Sequence, residues 1–227
     1  MTGLYGAGRP VLVLAPHPDD ETFGCGGAIR LFTEGNGKAD VAFVTRGECG
    51  GEMFEDLSDE KKHSIGETRA LEAAEACRIL GVDRQWFLSG RDGAVAQSPS
   101  VLAEIVQLLR HTAYGRVFCP WSQDSHGDHM ATFQWLKRSL AQTRYDCDVW
   151  LYEVWRPLVP NLILPLGSAM DVKLAAMRAH QSQLKCMNYV EGFTGLAAYR
   201  GLTSPPAKFA EAFVVTSSAE IVAGHHG

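Results

Sequence analysis

The sequence predicts an α/β fold, a single-domain three-layer α/β/α architecture around a Rossmann-like, mainly parallel sheet. Three observations predict it. Short apolar strands alternate with helical segments, the pattern of right-handed βαβ units. The leading strands are continuous apolar runs, as expected where helices cover both faces of a sheet. The length of 227 residues suits one generous domain with a substantial core. Residues 1–227 carry no internal repeat, low-complexity stretch or clear interdomain linker.

The elements follow in order. Val11 to Ala15 is the first buried strand. Gly24 to Phe32 is a helix rich in small residues, and Asp40 to Thr45 is a second buried strand. Arg46 to Glu60 is polar and glycine-rich, the mark of a long functional loop. Ser64 and Glu67 form the pattern of a capping box. The helix they open buries Ala70, Ala73, Ala74, Cys77 and Leu80, and Gly81 ends it. Gln85 to Leu88 is a third strand, and Val101 to Leu109 a helix with Leu102, Ile105, Val106 and Leu109 as its stripe. Arg116 to Pro120 is a fourth strand, stopped by its proline. A helix runs from about His129 to Ala141, and Asp148 to Trp155 is a fifth strand. A proline-containing connector leads to a helix from Ala169 to Leu184. Asn188 to Lys208 reads as a loop, and Phe209 to Thr216 as the last strand.

Composition removes several classes. Hydrophobic residues make up 46% and charged residues 21%, which argues against disorder. Lys plus Arg number 21 against 26 Asp plus Glu, a net charge of -5, so a nucleic-acid partner is not expected. No apolar run approaches the roughly 18 residues of a membrane span. Met1 to Pro10 lacks the basic-then-apolar pattern of a secretory signal. The six cysteines are scattered without a C-x-x-C pair. That excludes a disulfide framework and a thiolate zinc site, and it predicts reduced thiols in a cytoplasmic protein.

Two clusters carry chemistry, and both follow strands. Pro16-His17-Pro18-Asp19-Asp20-Glu21 follows the first, and Asp124-Ser125-His126-Gly127-Asp128-His129 follows the fourth. Ligands of open parallel sheets bind beyond the carboxyl ends of strands, where strand order reverses. In the common orders the first strand neighbours the fourth, so both clusters face one crevice. Imidazole and carboxylate suit a mononuclear zinc site with three protein ligands and a water. Pro18 biases His17 toward extended backbone. Of two adjacent carboxylates, one can bind a metal while the other acts as base. The plainer alternatives are an acidic first helical turn and a helix cap at Asp128. Gly24-Cys25-Gly26-Gly27 lacks the spacing of a dinucleotide fingerprint and reads as close helix–sheet packing.

His17-Pro18-Asp19-Asp20-Glu21 with His126-x-Asp128-His129 resembles the PIG-L/LmbE-like family of zinc-dependent N-acetylglucosaminyl deacetylases. Further likenesses run along the chain: Thr45-Arg46-Gly47-Glu48, Arg69 with Glu72, Lys173 with His180-Gln181-Ser182-Gln183, and Ala210-Glu211-Ala212-Phe213. The resemblance implies Zn2+ held by His17, Asp20 and His129, with Asp19 as general base. It implies that His126 stabilises the tetrahedral intermediate or protonates the amine, with Asp128 orienting it. Gly127 stands where family members often carry proline. Arg69, Glu48, Trp121 and His180 are candidate substrate contacts. Arg69, Trp121 and His180 each have an ordinary alternative: a paired surface arginine, a packing aromatic and a structural histidine. The implied substrate is a small-molecule or glycoconjugate amino sugar, with substrate choice in the loops 48–60 and 188–208, and a homo-oligomer is consistent with the family. A metal-dependent amidase or esterase for a non-sugar substrate, and a noncatalytic nucleotide- or sugar-binding domain, are the alternatives. The tail histidines His225 and His226 are not counted as ligands.

Overall fold

The computed structural model describes residues 8–50 and 57–225. The start of the chain, the middle of the loop after the second strand and His226 lie outside the described residues. Seven strands form one sheet: β1 (Val11–Ala15), β2 (Ala39–Phe43), β3 (Arg84–Phe87), β4 (Arg116–Pro120), β5 (Asp148–Tyr152), β6 (Leu162–Pro165) and β7 (Ala210–Ser217). Their order is β3-β2-β1-β4-β5-β7-β6. The first five are parallel, and β7 runs antiparallel to both β5 and β6. The fold class is therefore as expected. Strand order reverses between β1 and β4, so the segments following these two strands share one crevice.

The apolar run of β1 divides by alternation. Leu12 and Leu14 join one core layer with Ile105, Leu109, Leu136 and Leu140. Val11, Val13 and Ala15 join the other with Ile29, Leu80 and Ala176. Helices α1 (Asp20–Glu34), α2 (Asp59–Leu80) and α5 (Ala169–Met177) cover that second face. Helices α3 (Ser100–His111) and α4 (Gly127–Thr143) cover the first. Among the described residues no helix is long and apolar enough to cross a membrane.

Several boundaries differ from expectation. α2 opens at Ser58, whose side chain accepts the Lys61 amide, and not at Ser64. Asp59 and Glu60 in the first turn complement the helix dipole there, and Ser64 lies inside the helix. α1 starts at Asp20, within the first motif. The helix expected from Ala169 to Leu184 breaks near His180 into α5 and the short α6 (Gln181–Leu184). The stretch expected as a loop contains α7 (Tyr189–Leu202), capped by Asn188. Arg200 anchors α7 by donating from Nε and Nη2, one edge of its guanidinium, to the two Glu153 carboxylate oxygens at 2.9 and 2.5 Å. The connector before α5 contains β6, an edge strand where proline is tolerated. A Ser217–Glu220 capping box opens α8 (Ser218–Ala223).

α1 is kinked at Cys25, whose φ of -142° is not helical. The kink frees the amides of Gly27 and Ala28, and both donate to the Glu211 carboxylate at 2.8 Å. Lys173 donates to Glu211 at 2.6 Å and to the Phe23 carbonyl at 2.8 Å. The glycines serve close approach here. A Cβ at Gly24 would stand 2.3 Å from the Tyr152 ring, and one at Gly27 2.5 Å from Leu166. Glu211→Ala would strand the buried Lys173 and two amides. It should lower unfolding free energy by about 3–5 kcal/mol, read from urea denaturation. A loss below about 1 kcal/mol would contradict this role for the pair.

Candidate active site

Each functional segment follows the carboxyl end of a strand. β1 leads into His17-Pro18-Asp19-Asp20, β2 into Thr45–Gly50, β3 into Ser89–Gly93, and β4 into Trp121–His126 and then α4. Asp20 reaches back to accept the His17 amide at 2.9 Å, which sets the turn.

Asp20 Oδ2 then lies between two imidazoles. It is 3.1 Å from His17 Nδ1 and 3.2 Å from His129 Nε2. The opposite nitrogen of each ring also faces carboxylate. His17 Nε2 is 3.2 Å from both Asp92 Oδ1 and Asp128 Oδ2, and His129 Nδ1 is 3.5 Å from Asp124 Oδ2. A histidine with a shared carboxylate on one side and an outer carboxylate on the other is the pattern of a metal ligand with its supporting shell. His129 is fully buried, and its ring nitrogens meet Asp20 and Asp124 at ion-pair distance without well-aligned hydrogen bonds. A buried polar atom without a well-aligned partner is costly, and a cation shared by Nε2 and Asp20 would satisfy both. His126 completes a set of three imidazoles whose nitrogens lie within 4.8 Å of one another. The donors are nitrogen and oxygen only, which suits zinc.

Electrostatics agree with a site that concentrates negative charge. Burial pulls the His17 imidazole down, but Asp128, Asp20 and Asp92 outweigh it and hold it well above its ordinary value. Burial opposes protonation of His129 too, and Asp20 and Asp124 raise it to about 9. Burial opposes ionisation of Asp20, but His129 and His17 hold its carboxyl well below the usual range.

Asp19 stands beside this centre with φ at 156°, a conformation costly for a residue with a Cβ. Several groups hold it there. Its amide donates to Glu21 Oε2 at 3.0 Å. Its carboxylate accepts from Arg69 Nη2 at 3.0 Å, and Arg69 also binds the Pro18 and Gly47 carbonyls. Burial pushes the Asp19 carboxyl up to about 6, against the pull of Arg69. Glu21 in turn accepts from Thr22 Oγ1 at 2.6 Å and faces His180 Nε2 at 3.6 Å.

The expected substrate contacts fare differently. Arg69 is 4% exposed, and it positions Asp19. With α2 starting at Asp59, Arg69 lies well inside the helix, not near its N-terminus. His180 is fully buried behind Glu21 and does not line the cleft. Glu48 accepts the Asp92 amide at 3.1 Å and so braces the loop after β3. Trp121 packs into the core. Trp155 and Tyr189 line the cleft in its place, a space of about 420 Å³ that also contains His17, Asp19, Asp20, Asp92 and His126. Asp128 does not orient His126 through its carboxylate. That carboxylate accepts the Gly93 and Val95 amides at 2.7 and 3.1 Å and faces His17. Its backbone amide donates to His126 Nδ1 at 3.2 Å. In the neutral ring this leaves the hydrogen on His126 Nε2. Burial and neighbouring His17 lower the His126 pKa.

Sequence reading missed Asp92 and gave Asp124 no role. Asp92 follows the end of β3 much as His17 follows β1, and that placement was the available signal. Asp124→Asn should keep the fold and weaken zinc binding about 10- to 100-fold, measured by competition with a chromophoric chelator. Unchanged affinity would remove Asp124 from the supporting shell.

Comparison with known proteins agrees with this geometry. A probable N-acetyl-alpha-D-glucosaminyl L-malate deacetylase 2 from Bacillus cereus is 26% identical over 189 residues, covering 79% of this chain and 86% of the relative. A diacetylchitobiose deacetylase from Thermococcus kodakarensis is 27% identical over 191 residues, covering 77% and 70%. The solved N,N'-diacetylchitobiose deacetylase from Pyrococcus horikoshii superposes with a TM-score of 0.80 at 25% identity, covering 93% of this chain and 85% of that one. A 4-carboxy-2-hydroxymuconate hydratase from Pseudomonas putida shares the fold, with a TM-score of 0.80 at 20% identity over 92% and 96% of the two chains, so the fold alone does not name the reaction. The family described as PIG-L, GlcNAc-PI de-N-acetylase, matches residues 12–139, more than half of the sequence, and the chain belongs to that family.

Proposed function

We propose that this chain is a metal-dependent N-deacetylase that hydrolyses the N-acetyl group of an N-acetylglucosamine-type sugar or conjugate. The observation that carries this reading is the pair of carboxylate-flanked imidazoles around Asp20, with the braced carboxylate of Asp19 opening on the same cleft. His17, Asp20 and His129 would hold the ion, Zn2+ by donor type. When bound, it supplies Lewis acidity toward the amide carbonyl and makes a water acidic near neutral pH.

The protein's own groups do the remaining work. Asp19 takes a proton from the attacking water, and Arg69 and Glu21 keep its carboxylate aimed. The water oxygen bonds to the acyl carbon, and negative charge develops on the carbonyl oxygen. His126 donates from Nε2 toward that oxygen, a contact that strengthens as charge develops. Asp19 then returns its proton to the sugar nitrogen as the carbon–nitrogen bond breaks. Acetate and a free amine result. Relatives named as deacetylases of N-acetylglucosaminyl malate and diacetylchitobiose support this substrate class.

The test is acetate release from N-acetylglucosamine, its glycosides, diacetylchitobiose and N-acetylated amino acids, with chelator and zinc add-back. Sugar substrates should be turned over, chelation should abolish turnover and zinc should restore it. Asp19→Asn should keep fold and zinc but lose at least about 10²-fold in kcat. His129→Ala should lose zinc. Nearly full turnover by Asp19→Asn would remove the base assignment. Acetate from amino acids alone would move the substrate out of the sugars.

A further inference from the structure

The cleft does not end at Tyr189. Beyond it, Val154 and Trp155 face α7 across a second groove of about 260 Å³. The α7 residues lining it are Tyr189, Gly192, Phe193 and Leu196, the i, i+3, i+4, i+7 spacing of one helix face. Trp155, Met187 and Tyr189 line both the groove and the catalytic cleft, so the two spaces adjoin. Phe23 lies beneath, 3% exposed, stacked on Tyr189 at 5.1 Å and on Phe193 at 4.9 Å. Trp155 and Met187 are 41% and 39% exposed. Large apolar side chains left in water beside a reactive site mark a binding surface.

The lining also selects the occupant. Its lining is mostly apolar, Val154, Met187, Gly192, Phe193 and Leu196, and its polar side-chain groups are the Asn188 amide, the Tyr189 hydroxyl and the Trp155 indole N–H. The Asn188 amide is already engaged in capping α7, accepting the Glu191 amide at 3.4 Å and donating to the Glu191 carboxylate. A second sugar ring would bring more hydroxyls into this mostly apolar groove than the Tyr189 hydroxyl and the Trp155 N–H can partner, an unfavourable exchange with water. An alkyl or aryl group loses nothing of that kind and gains from leaving water.

We infer that this groove is a subsite for an apolar aglycone, an alkyl or aryl group linked to the amino sugar whose N-acetyl group enters the catalytic cleft. The inference rests on the deacetylase reading above. Burying roughly 100 Å² of apolar surface is worth about 10- to 100-fold in kcat/KM.

The experiment compares phenyl and methyl N-acetylglucosaminides, both anomers, in the zinc-loaded protein. Acetate release gives kcat/KM, and calorimetry gives affinity independently of turnover. Wild type should favour phenyl over methyl by about 10- to 100-fold in both. Gly192→Leu then blocks the groove. A Cβ at Gly192 meets nothing within 4 Å, and leucine is a better helix former than glycine, so α7 keeps its place. The variant's phenyl-to-methyl ratio should fall to near one, with thermal unfolding reporting on its fold. The wild-type comparison alone decides the matter should the variant fail to fold. Equal efficiency and affinity for both glycosides would overturn the subsite and leave the deacetylase reading standing. Tighter phenyl binding without acetate release would do the reverse. A ratio unmoved by Gly192→Leu, or diacetylchitobiose preferred over the phenyl glycoside, would also overturn the subsite.

Discussion

One carboxylate oxygen held between two imidazoles organises this molecule. Asp20 Oδ2 lies about equally far from His17 Nδ1 and His129 Nε2, at 3.1 and 3.2 Å. The two histidines are more than a hundred residues apart and meet because β1 and β4 are parallel neighbours. His17 leaves the end of β1, and His129 sits in the first turn of α4 after β4. Asp92, Asp128 and Asp124 then close around the outer ring nitrogens. So many buried acids in one place are unfavourable unless positive charge answers them. Protonated imidazoles are one answer and a divalent cation the stronger one, so the formal charge of -5 overstates the negative field of a metal-loaded site.

The carboxylate proposed as the base depends on a second arrangement, built behind the first. Asp19 holds an unfavourable backbone conformation, and such strain persists only where the surroundings over-determine it. Arg69 supplies three hydrogen bonds from α2, and Glu21 supplies one from the start of α1. Thr22 and His180 fix Glu21. Further along α1, Glu211 and Lys173 satisfy the amides and carbonyl that the kink at Cys25 releases. Buried charge here serves position: it holds a helix in a bent path so that its first residues can face the cleft.

Much of this was legible in the sequence, and the exceptions have physical causes. β1, β2 and β4 read directly because a strand covered on both faces is a continuous apolar run. The two motif clusters read directly because their residues are close in sequence. α7 did not, because Gly192, Gly195 and Gly201 resemble loop composition, and because its stability comes from the distant Arg200–Glu153 pair. The start of α2 did not, because its first turns present charges to solvent and have no apolar period. Arg69 lies well inside the longer helix, where its guanidinium holds Asp19. Trp121 and Trp155 both lie just beyond strands, yet one turns into the core and the other into the cleft. Loop sequence carries no periodicity that would tell them apart.

On the proposed function, a nitrogen- and oxygen-ligated ion belongs between His17, Asp20 and His129. X-ray absorption at the zinc edge of the metal-loaded protein tests it most directly. About one zinc per chain is expected, with two imidazole rings and a carboxylate at roughly 2.0–2.2 Å and no sulfur neighbour. A sulfur shell near 2.3 Å, or zinc without imidazole scattering, would contradict it.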